Sequence, residues 1–204
     1  MSSYLVVAAV SDVLRRVLWE EISVDPEVRQ LVPSEQDIVF TNPKETAQNS
    51  SNRLSLWLYQ ISENEFMKNS PMPRSASGDH QNFTPLSLNL CYLITPFASH
   101  SDNNMSGRDE NHLLLGKILQ VFHDNAIVVL RDLNIDVAEE LRVIYKRLTL
   151  EELTRIWEAL QEPYRLSICY QIQVSYIDSG RVSATARIVE RASGDELAAS
   201  GAQS

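Results

Sequence analysis

The residues able to do chemistry are few and scattered. The chain has two cysteines, Cys91 and Cys169, and four histidines, His80, His100, His112 and His123. Both cysteines sit in apolar, alternating runs, where a free thiol behaves as a small hydrophobe. They read as a buried thiol pair and not as a disulfide. His112 and His123 share one helical segment but lie about 16 Å apart along its axis, too far to hold one metal ion. No Cys-x-x-Cys or His-Glu-x-x-His spacing occurs, so zinc has no ligand set. The six glycines are dispersed and build neither a Gly-x-Gly-x-x-Gly turn nor a phosphate loop. No Gly-x-Ser-x-Gly elbow presents a serine nucleophile. Glu151 and Glu152 are adjacent carboxylates at a helix start, where the positive end of the dipole accounts for them. The sequence therefore predicts no catalytic residue, no metal and no cofactor. Trp57 and Tyr59 could form a binding platform, but aromatic rings on a strand with two apolar faces are more often core.

Composition narrows the classes further. A chain of 204 residues suits one globular domain that buries a sizeable core. The expected organisation is a single domain over residues 1–192 and a flexible tail over 193–204. The net charge is −9, and no basic run exists beyond Arg142 to Arg147, which reads as a solvated strand or helix face. That balance argues against nucleic acid, whose binding draws on phosphate neutralisation by cations. No apolar stretch is long enough to cross a membrane. The first ten residues lack a basic leader and read as the start of a helix rather than a signal peptide.

The periodicity sets out the elements that any site must be built on. From Tyr4 to Ile22, apolar residues recur at helical spacing. Pro26 and Pro33 keep the following segment from continuing that helix. Asp37 to Phe40 is a short strand candidate, and Asn42 to Asn52 reads as a loop. Arg53 to Ile61 reads as a strand with Leu54, Leu56 and Leu58 on one face and Trp57, Tyr59 and Ile61 on the other. Lys68 to Pro85 is a long loop, Leu86 to Phe97 an alternating strand, and Ala98 to Arg108 a second long loop. Asp109 to Asn125 is a helix, in which Gly116 would permit close approach of another backbone. Thr149 and Glu152 form a capping-box pattern for a helix that Pro163 ends, with Leu153, Ile156, Trp157 and Leu160 as its buried face. Tyr164 to Ile177 alternates cleanly, Asp178 to Gly180 is a turn, and Arg181 to Val189 is its hairpin partner. The expected fold is α+β: a mainly antiparallel or mixed sheet with about three packed amphipathic helices.

The order of these segments carries more than any one of them. An amphipathic first helix precedes Leu54-Ser-Leu-Trp-Leu-Tyr-Gln-Ile-Ser-Glu-Asn64 and Met67-Lys-Asn69. Pro85-Leu-Ser-Leu-Asn-Leu-Cys-Tyr-Leu-Ile-Thr95 follows, then His112 to Asn125, Leu150 to Trp157 and Tyr164 to Tyr170. Over roughly residues 4–178 this succession resembles the cap, or tail-terminator, family of extracellular contractile injection systems, which are phage-tail-like particles. The resemblance implies a structural protein and no enzyme. Its members are similar to phage tail terminators: a hexameric ring on the last layer of inner tube and sheath, at the end away from the baseplate. Implied partners are further copies of the chain and the tube and sheath subunits, within a particle assembled in the cytoplasm and then released or held at a membrane. A phage or prophage tail completion protein is a neighbouring reading. A small-molecule or peptide-binding module using the Trp57/Tyr59 face is a distant one.

A ring subunit needs contact surfaces, and the two long loops leave opposite ends of the strand Leu86 to Phe97. Loops of this length are commonly functional. Within and beside them Asn64, Asn69, Arg74, Phe83, Met105 and Arg108 are the expected interface residues, with Phe83 and Met105 as apolar anchors.

Overall fold

The apolar stripe near the start of the chain forms helix α1 (Val6–Val24), which buries Val6, Val10, Val13, Leu14, Leu18 and Ile22. The computed structural model describes residues 5–65, 80–82, 86–97, 105–130, 139–177 and 182–184. Pro26 does not merely stop α1: it occupies the first turn of a second helix, α2 (Pro26–Leu31), where its missing N–H costs nothing. Asp25 joins the two. Its N–H donates to Ile22 O, and its carboxylate accepts from the N–H groups of Glu27 and Val28. It also meets Lys117 Nζ at 3.4 Å. These contacts, with the Val28 N–H foremost, hold the Asp25 carboxyl below its ordinary range. A 3-10 turn (Glu35–Asp37) and strand β1 (Ile38–Val39) follow.

The segment from Asn42 to Asn52, expected as a loop, contains helix α3 (Pro43–Gln48). Its signals were in the sequence: Asn42 caps Glu45 N–H with its side chain, and Pro43 starts the first turn. Strands β2 (Leu54–Glu63), β3 (His80–Asn82) and β4 (Leu86–Pro96) come next. Helix α4 (Met105–Asp124) leads into β5 (Ile127–Leu130) and β6 (Glu139–Tyr145). Helix α5 (Leu150–Leu160) has the expected reciprocal capping box between Thr149 and Glu152. It ends where Gln161 takes a left-handed conformation, φ 55°. Strands β7 (Ile168–Ile177) and β8 (Val182–Ala184) complete the described elements.

Six strands form one mixed sheet in the order β1-β2-β4-β7-β6-β5. β1 runs parallel to β2, and every other pairing is antiparallel. The fold class is α+β as expected, with five α-helices among the described residues where about three were expected. The pairing differs at the end of the chain. β8 does not return along β7; it pairs with β3 in a separate two-stranded sheet, Gln81 opposite Ser183. β7 instead lies between β4 and β6, both of which offer it longer ladders. Residues 164–167 precede β7 and are not part of the strand.

The sheet has an inner and an outer face. On the inner face α1, α2 and α4 pack over Leu54, Leu56, Leu88, Leu90, Tyr92, Ile94, Leu141, Val143, Ile172 and Val174 to make the main core. At the centre of that sheet Leu56, Leu88, Leu90 and Ile172 are buried, while Leu58 and Ile168 are half-buried. Tyr92 ties α1 down: its hydroxyl shares a 2.7 Å hydrogen bond with Ser11 Oγ, and burial pushes it up to about 12. β2 carries a bulge at Tyr59, since Leu58 faces Tyr92 but Gln60 faces Cys91. The extra residue reverses the alternation. Ile61 therefore stands opposite Leu90 on the inner face, not with Trp57 as the unbroken period suggests. The expected role of Gly116 also fails: it is exposed on α4, and a Cβ built there meets nothing within 4 Å.

Candidate assembly interface

The outer face is where chemistry-bearing residues gather. Cys91 and Cys169 lie on adjacent strands, Cys91 opposite Gln171 and Cys169 opposite Leu93. Both are free and buried, as the alternation predicts. Tyr59 Oη and Cys169 Sγ are 3.3 Å apart, and Lys146 Nζ donates to Cys91 Sγ at 3.4 Å. Burial is the main cause that pushes the Cys169 thiol up to about 11 and raises the Tyr59 hydroxyl as well. A thiol raised this far is protonated at neutral pH and is no nucleophile. Trp57 and Tyr59 are half-buried, with ring centroids 6.1 Å apart, and the Tyr59 hydroxyl is turned to Cys169 rather than to a ligand. This half of the face is packing.

Helix α5 lies over it. Glu152 in its first turn acts electrostatically on both Tyr59 and Cys169. At the other end, Lys44 Nζ donates to Leu160 O at 3.2 Å. Trp157 is the only fully buried side chain of α5. Leu153, Ile156 and Leu160, expected beside it, are half-buried, so the helix is a thin cover held mainly by one ring.

The other half of the outer face is open. Ile127, Val129 and Ile144 are large apolar side chains left 59%, 43% and 41% exposed on β5 and β6. Arg142 stands exposed among them, opposite Ile127 on one side and Gln173 on the other. Of Arg142 to Arg147, Arg142 and Ile144 lie on an exposed strand face, Val143 is buried, and Lys146, just past the strand, reaches Cys91. At the same end of the sheet, a hollow of about 460 Å³ opens between α4 and the last strands, with Leu119, Phe122, Tyr145 and Tyr170 in its wall. Tyr170 packs edge-on against both Phe122 and Tyr145, with centroids 4.8 and 5.6 Å away. These features were not assigned from the sequence. The signal was there in Ile127-Val-Val-Leu130 and Leu141-Arg-Val-Ile-Tyr145, two short β-branched runs that alternate buried and exposed residues.

The expected interface residues are not brought together in this way. Asn64 is buried at the end of β2, and its N–H donates to Ser87 O at 2.9 Å. Its side chain is therefore not displayed to solvent. Met105 and Arg108 belong to the first turns of α4 rather than to a loop, because the helix begins four residues earlier than the charge pattern suggests. Asn69, Arg74 and Phe83 lie outside the described residues, as do the expected turn Asp178 to Gly180 and the tail from residue 193. Of the two long loops, His80–Asn82 is strand and Met105 onwards is helix. His112 and His123 are both exposed on α4, and among the described residues no group of three or more His, Cys, Asp or Glu is placed to hold a metal.

An α+β domain with a helix-sealed inner face and a half-open outer face can be compared with known proteins. The family model for the Pvc16 N-terminal domain matches residues 9–191. The chain belongs to this family. Among solved structures, members of the same fold include the sheath/tube terminator of an extracellular contractile injection system, PVC, in its extended state. That structure is 18% identical, with a TM-score of 0.50, over 85% of this chain and 64% of that one. A second is the tube-terminating cap of the anti-feeding prophage, 15% identical, with a TM-score of 0.58, over 89% of this chain and 58% of that one. No curated protein matches the sequence. At these identities the likeness to the solved caps is one of fold, and the chain spans less than two thirds of either. Membership of the Pvc16 N-terminal domain family accords with the resemblance already drawn from the order of the segments.

Proposed function

We propose that the chain is a structural cap subunit. It closes the end of the inner tube and sheath of a contractile injection system, distal to the baseplate, as a homo-hexameric ring. The observation that carries this reading is the family match across residues 9–191, joined to the fold shared with a tube-terminating cap. The surface suits the role. A cap needs a rigid body with unfilled apolar and polar faces for tube, sheath and neighbouring copies, and the uncovered half of the outer sheet is such a face. The two cysteines are buried in the packing of the sheet, which fits work by binding rather than turnover. Its partners are further copies of itself and the tube and sheath subunits. The particle assembles in the cytoplasm before release or attachment to a membrane.

Removal of the gene from a strain that makes the particles tests this. Without a terminator, tube growth has no stop, and particles of uneven length are expected in electron micrographs, restored to one length by the intact gene. Particles of unchanged, uniform length in the deletion strain would count against the terminator role.

A further inference from the structure

The main sheet has an open edge in β5. Among the described residues β5 pairs with β6 on one side and with no strand on the other. Open edges recruit strands, and Ile127-Val-Val-Leu130 has no lysine, proline or bulge to prevent this. The phase of the edge follows from one bond. Val143 N–H donates to Ala126 O at 2.9 Å, so Ala126 and Val143 form a bonded pair. The pairs alternate from there, and Ile127–Arg142 and Val129–Glu140 are non-bonded pairs. The N–H and C=O groups of Ile127 and Val129 therefore point away from β6, into the open edge. The side chains of these two residues are 59% and 43% exposed. What fits such a row of free main-chain groups is an extended strand.

The same chain carries strands that lack a neighbour. β3 and β8 are three residues each and pair with one another, apart from the six-stranded sheet. Among the described residues neither has a second strand beside it. A two-stranded ribbon is marginal in water, and a third strand is one of the additions that secure it. Within one chain the ribbon and β5 remain in separate sheets, so a strand that serves both needs has to come from another copy.

Position agrees as well. β2 ends at Glu63, opposite Leu88, and β4 begins at Leu86, opposite Ile177, the last residue of β7. β5 finishes at the same end of the sheet, since its last residues, Val129 and Leu130, pair with Glu140 and Glu139 at the start of β6, and β6 runs antiparallel to β7. β3 and β8 are both reached from that end. Val182 is five residues beyond Ile177, a reach of at most about 18 Å. A neighbour related by rotation about an axis along the strands keeps this level. Its β3–β8 ribbon then stands at the height of the last residues of β5.

We infer that the β3–β8 ribbon of one copy adds to the open edge of β5 in the next, joining the subunits of the ring head to tail. The occupant is a second copy because the chain holds both halves of the contact, an edge with free groups and a ribbon short of a strand, at one level of the sheet. Such a contact is heterologous, the kind that closes into a ring. The inference rests on the proposed ring and assigns the strands that make it.

The test uses the full chain produced together with tube and sheath subunits. In Val129→Pro the lost N–H is the one facing the open edge, so no bond within the chain is removed, and edge positions of this kind tolerate proline. The expected result is a folded protein melting within a few degrees of the parent, with loss of the ring-sized species. Two further variants combine Val129→Cys with Gln81→Cys or with Ser183→Cys in one chain. A short bismaleimide, which tolerates a slip in register, should turn at least one of them into a ladder of covalent oligomers. No single substitution should produce the ladder. If the parent forms rings and Val129→Pro forms them equally, or if rings form and neither double variant gives a ladder, the strand addition is wrong and the ring reading stands. If the parent stays monomeric even with tube and sheath subunits, both fail. Should Val129→Pro not fold, the ladder alone decides.

Discussion

Ile172→Asp is expected to abolish cooperative folding. Ile172 is fully buried in the central strand β7, between Leu90 on β4 and Val143 on β6. Truncating such a side chain costs about 2–5 kcal/mol, and burying a carboxylate there without a partner adds several more. A domain of this size holds only about 5–15 kcal/mol of net stability, so the sum consumes most or all of it. Ile172→Val, which removes one methyl group, should cost about 1 kcal/mol and keep a sharp transition. Thermal unfolding followed by circular dichroism separates the two. If Ile172→Asp melts cooperatively within a few degrees of the parent, β7 is not the central strand of the sheet. The same change at Ile168 should be milder, because that residue is half-buried and a carboxylate there can reach water.

Trp157→Ala is expected to free helix α5 from the sheet. Trp157 is 2% exposed and is the one ring by which α5 is anchored. Its truncation should cost about 3–5 kcal/mol, less whatever is regained by removing an indole N–H that is buried without a hydrogen-bond partner. The consequence is visible in the thiols underneath. Cys91 and Cys169 are 1% and 2% exposed in the parent, so labelling by an aromatic disulfide reagent should be slow. In Trp157→Ala, labelling should accelerate at least about tenfold, since the local opening that admits the reagent becomes cheaper by more than 1.4 kcal/mol. Equal labelling rates in parent and variant would mean that something other than α5 covers the thiols.

The inner half of this protein could be read directly from its sequence. The stripe of α1, the capping box of α5 and the alternation of β4 and β7 each follow from one dominant period, and the structure keeps them. What the period could not reveal was its own interruption. The bulge at Tyr59 moves Ile61 to the opposite face, and nothing in Leu-Tyr-Gln-Ile marks where the extra residue falls. α3 was hidden by its polarity, although Asn42 and Pro43 make a good start signal. β8 was given to β7 because proximity in the sequence favours a hairpin. The ladder with β3 spans about a hundred residues of intervening chain, which no local pattern encodes. The expected interface was placed on the two long loops by their length, by their position at opposite ends of one strand and by the anchors Phe83 and Met105, and much of it lies outside the described residues. The exposed apolar surface on β5 and β6 was not foreseen, because the exposed isoleucines and valine of these short strands cannot be told from core residues until the sheet order is known.

The central claim is that this chain sits as a ring at one end of a contractile particle. Electron cryo-microscopy of intact particles whose copies of this chain carry a small C-terminal tag, labelled with a tag-specific antibody fragment, tests it most directly. The account predicts extra density at the end opposite the baseplate and nowhere else, with six-fold symmetry and one ring per particle. Label distributed along the sheath, located at the baseplate, or absent from purified particles would contradict it.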